Sequence, residues 1–381
     1  MHRNLAAVTA ALAVGIGLPS LPVLARRESV PDARIAERKP VDLVLCLDTS
    51  NSMDGLIDAA RRKLWDIVNE LARAKPTPRL RVALLSYGND GYNAETGWVR
   101  QETAFTEDLD AVNRQLFALT TNGGTEYVGR VLRASLDRLD WTPSRDALKL
   151  IFVAGNESAD QDPNVPFRDV CRRAIAAGVQ VNPVYCGRPE DGDAAAWREI
   201  ASLADGRFAA IDPDHGTVEI PTPYDEKLGR LSEELSRTFL AFGAEGRAAA
   251  ANQSAQDANA AGASAPAAAA RAEAKAGALY RWSGDLVEAS KEKAFRLDQV
   301  RDEDLPEELK KLTPAEREAR VTEAGRKREA LQKEIADLTV QRQAYQQEEA
   351  KKQGLDGKDA FDQAVRSAVR EQGAKKGLQF K

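Results

Sequence analysis

Three short segments carry oxygen donors at points where the chain turns after an apolar run. The first is Asp48-Thr49-Ser50-Asn51-Ser52, which follows directly on the apolar stretch 41–47. A carboxylate and two hydroxyls at alternate positions are hard ligands, and hard oxygen donors with retained water suit Mg²⁺. The second is Asn122-Gly123-Gly124-Thr125-Glu126, a glycine turn that leads into a helical pattern, with Thr125 placed to cap it. The third is Gly155-Asn156-Glu157-Ser158, after the strand-like run 150–154, with Asp160 and Asp162 just beyond.

Asp-x-Ser-x-Ser is a common pattern in loops, but here it sits between a buried strand and an amphipathic helix. In that setting it resembles the metal-ion-dependent adhesion site of von Willebrand factor A (VWA) domains. The resemblance implies that Ser50 and Ser52 ligate a divalent cation, Mg²⁺ or Mn²⁺, directly. It implies that Asp48 holds the cation through water and orients the serines, and that Thr125 supplies a further hydroxyl, a role compatible with capping. Asn156 stands where the family places an aspartate. Its amide oxygen can ligate but brings no charge, which weakens affinity for a hard cation. Glu157, Asp160 and Asp162 are the nearby acids that could compensate. The resemblance covers residues 40–242, slightly over half the chain.

The function implied is a non-enzymatic binding module in which an acidic side chain of a partner protein completes the cation's coordination. A scaffold with a degenerate metal site and an assembling helical tail is the second reading; a hydrolase with an unrecognised acidic site is the third. Histidine-based chemistry has little support. The sequence holds two histidines, His2 in the leader and His215 in the turn-like 212–216, where a Ser-His-Asp triad or a His-based zinc site needs more. Nucleophile elbows, phosphate-binding Gly-Lys-Ser/Thr loops and Cys-x-x-Cys pairs do not occur. A net charge of −5 and 6% aromatic residues oppose nucleic-acid binding, which favours basic surfaces and stacking platforms.

The elements that must position these donors alternate. Strand-like runs at 41–47, 80–87, 98–105, 147–154, 179–185 and 206–211 are interleaved with helical patterns at 56–74, 107–118, 126–139, 165–177, 194–204 and 224–242. The stripe Leu56, Ala60, Leu64, Ile67, Val68 and Leu71 marks the first helix. Such alternation predicts an α/β fold: a doubly wound, mostly parallel six-stranded sheet with helices on both faces. Ligands of open sheets bind at the strands' carboxyl ends near the switch point, which gathers the three donor segments on one rim.

Flanking this domain, expected over 40–243, are segments of other character. Arg3, the apolar run 5–18 and Val23-Leu24-Ala25 read as a secretory signal cleaved after Ala25, followed by a linker over 26–39; the run is short for a membrane anchor. Export to a periplasm or the exterior follows, with no later segment apolar enough to span a bilayer. Residues 244–278 are mostly alanine without larger apolar periodicity, which reads as a flexible linker. The region 279–381 is charged and helical, with a capping box at Thr313-Pro314-Ala315-Glu316. Leu331, Ile335, Leu338 and Tyr345, with Arg342 in the seam, form a short coiled-coil stripe within 314–353 that offers self-association. Cys46 reads as a buried core residue, whereas Cys171 and Cys186 flank one helix-to-strand connection and offer a disulfide.

Overall fold

The computed structural model describes residues 38–211, 219–354 and 360–380; the expected signal 1–25 and His215 lie outside these. The apolar run after Pro40 becomes β1 (Pro40–Asp48), buried along nearly its whole length. Its side chains alternate between two cores: Val41, Leu43, Leu45 and Leu47 enter one, Val44 and Cys46 the other. This is the period of two expected of a strand covered on both faces. Asp42 is the polar exception, and Arg81 neutralises it through a two-pronged ion pair, both contacts 2.9 Å.

After β2 (Ala74–Lys75) come β3 (Arg79–Tyr87), β4 (Val99–Thr106), β5 (Leu148–Gly155), β6 (Gln180–Tyr185) and β7 (Ala209–Ala210). The main sheet has six strands in the order β4-β3-β1-β5-β6-β7. Every pairing is parallel except that of the edge strand β4 with β3. The strand order reverses at β1, so the switch point lies at its carboxyl end, where Asp48 emerges. Helices α1 (Asp54–Ala72) and α2 (Leu109–Ala118) cover one face with Leu64, Val68, Leu71, Val112 and Leu116. Helices α3 (Val128–Arg138), α4 (Phe167–Ala176) and α5 (Ala194–Leu203) cover the other. The expected doubly wound α/β architecture is therefore present.

The cysteines depart from expectation. Cys171 lies in the core on the α3–α5 face and Cys186 in the core on the opposite face, and all three cysteines are free thiols. Chain proximity of a helix and the following strand does not bring their side chains together when the sheet itself stands between them.

The alanine-rich stretch departs further. Rather than a linker it forms α7 (Gly243–Ala263) and α8 (Ala265–Ala276), following α6 (Asp225–Ser236). Alanine packs by letting backbones approach closely, so the large side chains come from the neighbours: Leu228, Leu231 and Leu235 of α6, Tyr280, and Trp282. Asn69 of α1 donates its amide to the Ala270 carbonyl at 2.9 Å, and Asn113 of α2 donates to Gln256 at 3.0 Å. Arg271, 1% exposed, pairs with Asp110 at 2.7 Å and Asp257 at 2.6 Å and lies over the Trp65 ring at 4.9 Å. Lys275, fully buried, pairs with Asp257 at 2.8 Å and donates to Ser232 and Ser236.

The capping box forms as expected at the start of α9 (Pro314–Lys352). Its stripe is occupied by this same chain: Leu331, Ile335 and Leu338 pack on α6 and α8, Arg342 pairs with Asp225 at 2.7 Å, and Tyr345 meets Tyr224 edge-on. The last helix, α10 (Ala360–Lys375), adds Val365, Ala368 and Val369 to the core on the α1 face. The chain then closes with β8 (Gln379–Phe380), antiparallel to β2.

Candidate metal centre

The three donor segments meet at the carboxyl end of β1. Thr49 ties the first to β3, donating both its amide (2.8 Å) and its hydroxyl (2.9 Å) to the Tyr87 carbonyl. The glycine turn is stitched to it by two backbone bonds, Asn51 amide to Gly123 carbonyl (2.9 Å) and Asn122 amide to Thr49 carbonyl (3.0 Å). The third segment is fixed from below, where Tyr87 donates its hydroxyl to the Ala154 carbonyl and the Trp197 indole donates to the Glu157 carbonyl at 2.8 Å.

Within this frame Asp48 is wholly buried, and its Oδ1 accepts the Ser50 amide at 2.8 Å. Ser50 and Ser52 share a hydroxyl–hydroxyl bond of 2.9 Å, and Ser52 donates to the Asn156 Oδ1 at 3.0 Å. Asp48, Ser50, Ser52 and Asn156 thus form one connected group. Ser52 is exposed and Asn156 half-buried, so the group opens to solvent on that side. Thr125 is half-buried on the adjoining loop. It does not cap the helix as expected: α3 begins at Val128, and its cap position is Tyr127.

The acids beyond Asn156 do not join the group. Asp160 is held by Arg168 at 2.5 and 3.0 Å, Asp162 by Arg130 at 2.5 Å, and Glu157 is exposed. The residue that does join is Glu126, which sequence reasoning treats as the first residue of a helix. It is 6% exposed. Its signal was available: an acid just past a Gly-Gly turn, two residues ahead of the helix proper.

Asp48 and Glu126 are buried side by side, with no cationic side chain among the described residues between them. Burial, then the charge of Glu126, pushes the Asp48 carboxyl well above the usual range, against the pull of the Ser50 hydrogen bonds. Burial likewise pushes Glu126 up to about 7, opposed by its bonds to Ser50 and Asp48 and reinforced by Glu157 and Asp90. Tyr87 beneath them is raised by burial and then by both carboxylates. Asp48 Oδ2 and Glu126 Oε2 are buried with no hydrogen-bond partner among the described residues. Buried polar atoms normally find partners. Two unpartnered carboxylate oxygens beside two hydroxyls and an amide oxygen are a donor set that fits a hard divalent cation. No cluster of three His, Cys, Asp or Glu side chains suited to a metal occurs among the described residues, so this mixed set is the candidate.

Among curated proteins, none shows significant sequence similarity to this chain. Similar solved structures include a von Willebrand factor type A protein from Catenulispora acidiphila, 20% identical, TM-score 0.36, covering 47% of this chain and 40% of that one. Another is proximal thread matrix protein 1 from the mussel byssus with a zinc-occupied MIDAS motif, 13% identical, TM-score 0.36, covering 46% of this chain and 43% of that one. The von Willebrand factor domain of the type V pilus tip protein Mfa5 from Porphyromonas gingivalis is 14% identical, TM-score 0.35, covering 47% of this chain and 91% of that one. This chain therefore spans less than half the length of the first two. The family profile for the von Willebrand factor type A domain matches residues 42–222. With the sheet order and the donor loops at its switch point, that match makes residues 42–222 a von Willebrand factor type A domain.

Proposed function

We propose that the domain is an exported protein-binding module that engages an acidic side chain of a partner through a divalent cation, Mg²⁺ or Mn²⁺. Ser50 and Ser52 would hold the cation, with Asp48 orienting them and Thr125 and Asn156 around the rim. The observation that carries this reading is the buried Asp48 Oδ2, left without a partner inside a hydroxyl-lined group that opens to solvent at Ser52. When bound, the cation supplies an electrophilic position for a carboxylate. The chain's own residues fix its place, because Asp48 ends β1 and Thr49, next to it, is bonded twice to the Tyr87 carbonyl at the end of β3. An exported location rests on the apolar leader 5–18. No helix among the described residues is long and apolar enough to cross a membrane.

The test is calorimetric titration of Mg²⁺ and Mn²⁺ into the 26–381 chain beside Asp48→Ala and Ser50→Ala. Saturable binding in the parent and its loss in both variants is expected. Absence of binding in the parent refutes the metal-dependent mechanism.

A further inference from the structure

We infer that Glu126 is itself a ligand of the cation and supplies the carboxylate that Asn156 withholds. This rests on the proposed metal-binding reading and adds to it a residue and a charge count.

Placement comes first. A Cβ built on Gly124 would lie 2.9 Å from Glu126 Oε1 and 3.8 Å from the Ser50 Cβ. One built on Gly88 would lie 2.6 Å from Asp48 Oδ1 and 3.0 Å from the Glu126 Cγ. The Glu126 side chain therefore runs through a slot between two glycines, and its carboxylate reaches the space beside Ser50 and Asp48. Any side chain at either glycine would close that slot, which is the service glycine gives where close approach is needed.

Beyond its bonds to Ser50 and Asp48, this carboxylate holds no other part of the fold among the described residues. Helix α3 begins two residues later with no side-chain cap, and Glu126 touches its start only through its backbone carbonyl, which accepts the Val128 amide at 3.2 Å. Oε2 has no partner among the described residues, and neither does Asp48 Oδ2. Side by side and 6% and 0% exposed, these two carboxylates repel unless a proton or a cation lies between them. Of the acids that follow Asn156, Asp160 is held by Arg168 and Asp162 by Arg130, while Glu157 is exposed at the surface. Asp48 and Glu126 together bring two negative charges, enough to balance one divalent cation while position 156 stays neutral.

The experiment titrates Mn²⁺ by calorimetry into the 26–381 chain as parent, Glu126→Gln, and Glu126→Gln with Asn156→Asp, and follows unfolding of each in EDTA. Glu126→Gln is expected to weaken Mn²⁺ binding at least tenfold while unfolding in EDTA no earlier than the parent, since it removes a repulsion. Adding Asn156→Asp returns a carboxylate to the site and is expected to recover most of the lost affinity. Parent-like affinity in Glu126→Gln overturns the inference and leaves the metal site standing. Loss of affinity together with loss of stability in EDTA also overturns it, by making Glu126 a structural residue. No Mn²⁺ binding by the parent overturns the metal-binding reading, and the inference with it.

Discussion

Replacing Arg271 by methionine would test whether the helices beyond the sheet belong to the domain's folding unit. Arg271 is 1% exposed and makes two ion pairs, with Asp110 of α2 and Asp257 of α7, and donates to the Gln253 carbonyl at 3.2 Å. Methionine keeps most of the apolar stem, so little cavity forms; what is lost is the cation. Removing one partner of a buried pair costs about 3–5 kcal/mol because the remaining charge is stranded. Here Lys275 stays on Asp257 and Tyr280 stays on Asp110, which places the expected loss near the lower end, about 3 kcal/mol. A folded domain has only about 5–15 kcal/mol in total, so this is a large share. Urea unfolding of the 26–381 chain, followed by the fluorescence of Trp65 beneath Arg271, reads the loss as a lower midpoint. Hydrogen exchange over 243–276 should accelerate at the same time. A change under about 1 kcal/mol, with protection of 243–276 unaltered, would refute the reasoning and mark the pairs as no stronger than surface ones.

Three further outcomes follow from the same structure. Gly88→Ala puts a methyl at a φ of +77° and 2.6 Å from Asp48 Oδ1, so it should lose about 1–3 kcal/mol of stability and more than tenfold in Mn²⁺ affinity. Gly178→Ala, at a φ of +72° with nothing within 4 Å, should lose stability through its backbone alone and keep its Mn²⁺ affinity in the same titration. Burial lowers Lys275 from its ordinary 10.5 to about 8 despite Asp257. Between those values the unfolded chain holds the proton that the folded chain has released, so this residue's contribution to stability rises with pH. Urea midpoints of the parent and Lys275→Met at pH 7.5 and 9.5 should diverge in the parent's favour by about 2 kcal/mol; convergence would contradict the assignment.

The sequence made some of this architecture plain and hid the rest for physical reasons. β1 was legible because a strand buried on both faces must be apolar throughout, and Asp48 marks where that constraint ends. The loop 48–52 was legible as a donor group because hydroxyls at alternate positions after such a strand have few other uses. Helices α7 and α8 were not, because periodicity registers large apolar side chains, whereas α8 packs Ala269 and Ala272 against Trp282, Leu331 and Ile335, and α7 buries Gln253, Gln256 and Ala260. Arg271 and Lys275 carry no signal of their burial, since their partners Asp110 and Asp257 are distant in sequence or separately unremarkable. Glu126 was hidden by a plausible second use, an acid near the positive end of a helix. Only the slot beside Gly88 and Gly124 shows that its carboxylate turns away from α3.

The pairing of β8 with β2 sets residues 379–380 beside 74–75, close to where β1 starts. Lys39 donates to the Lys376 carbonyl, and Lys376 donates to the Arg145 carbonyl at 2.7 Å, all at the amino-terminal edge of the sheet. The donor loops lie at the opposite pole, separated by the length of β1, about 26 Å for eight steps of a strand. A tension applied by a partner at Asp48 and resisted at residue 38 would therefore run straight down the central strand. β1 stands in register with β3 over nine positions and with β5 over seven. Pulled lengthwise, those two ladders bear the load in parallel and must shear together, whereas a strand peeled from an edge gives way one bond at a time. The strand that carries the candidate site is also the one with the most paired positions in the sheet.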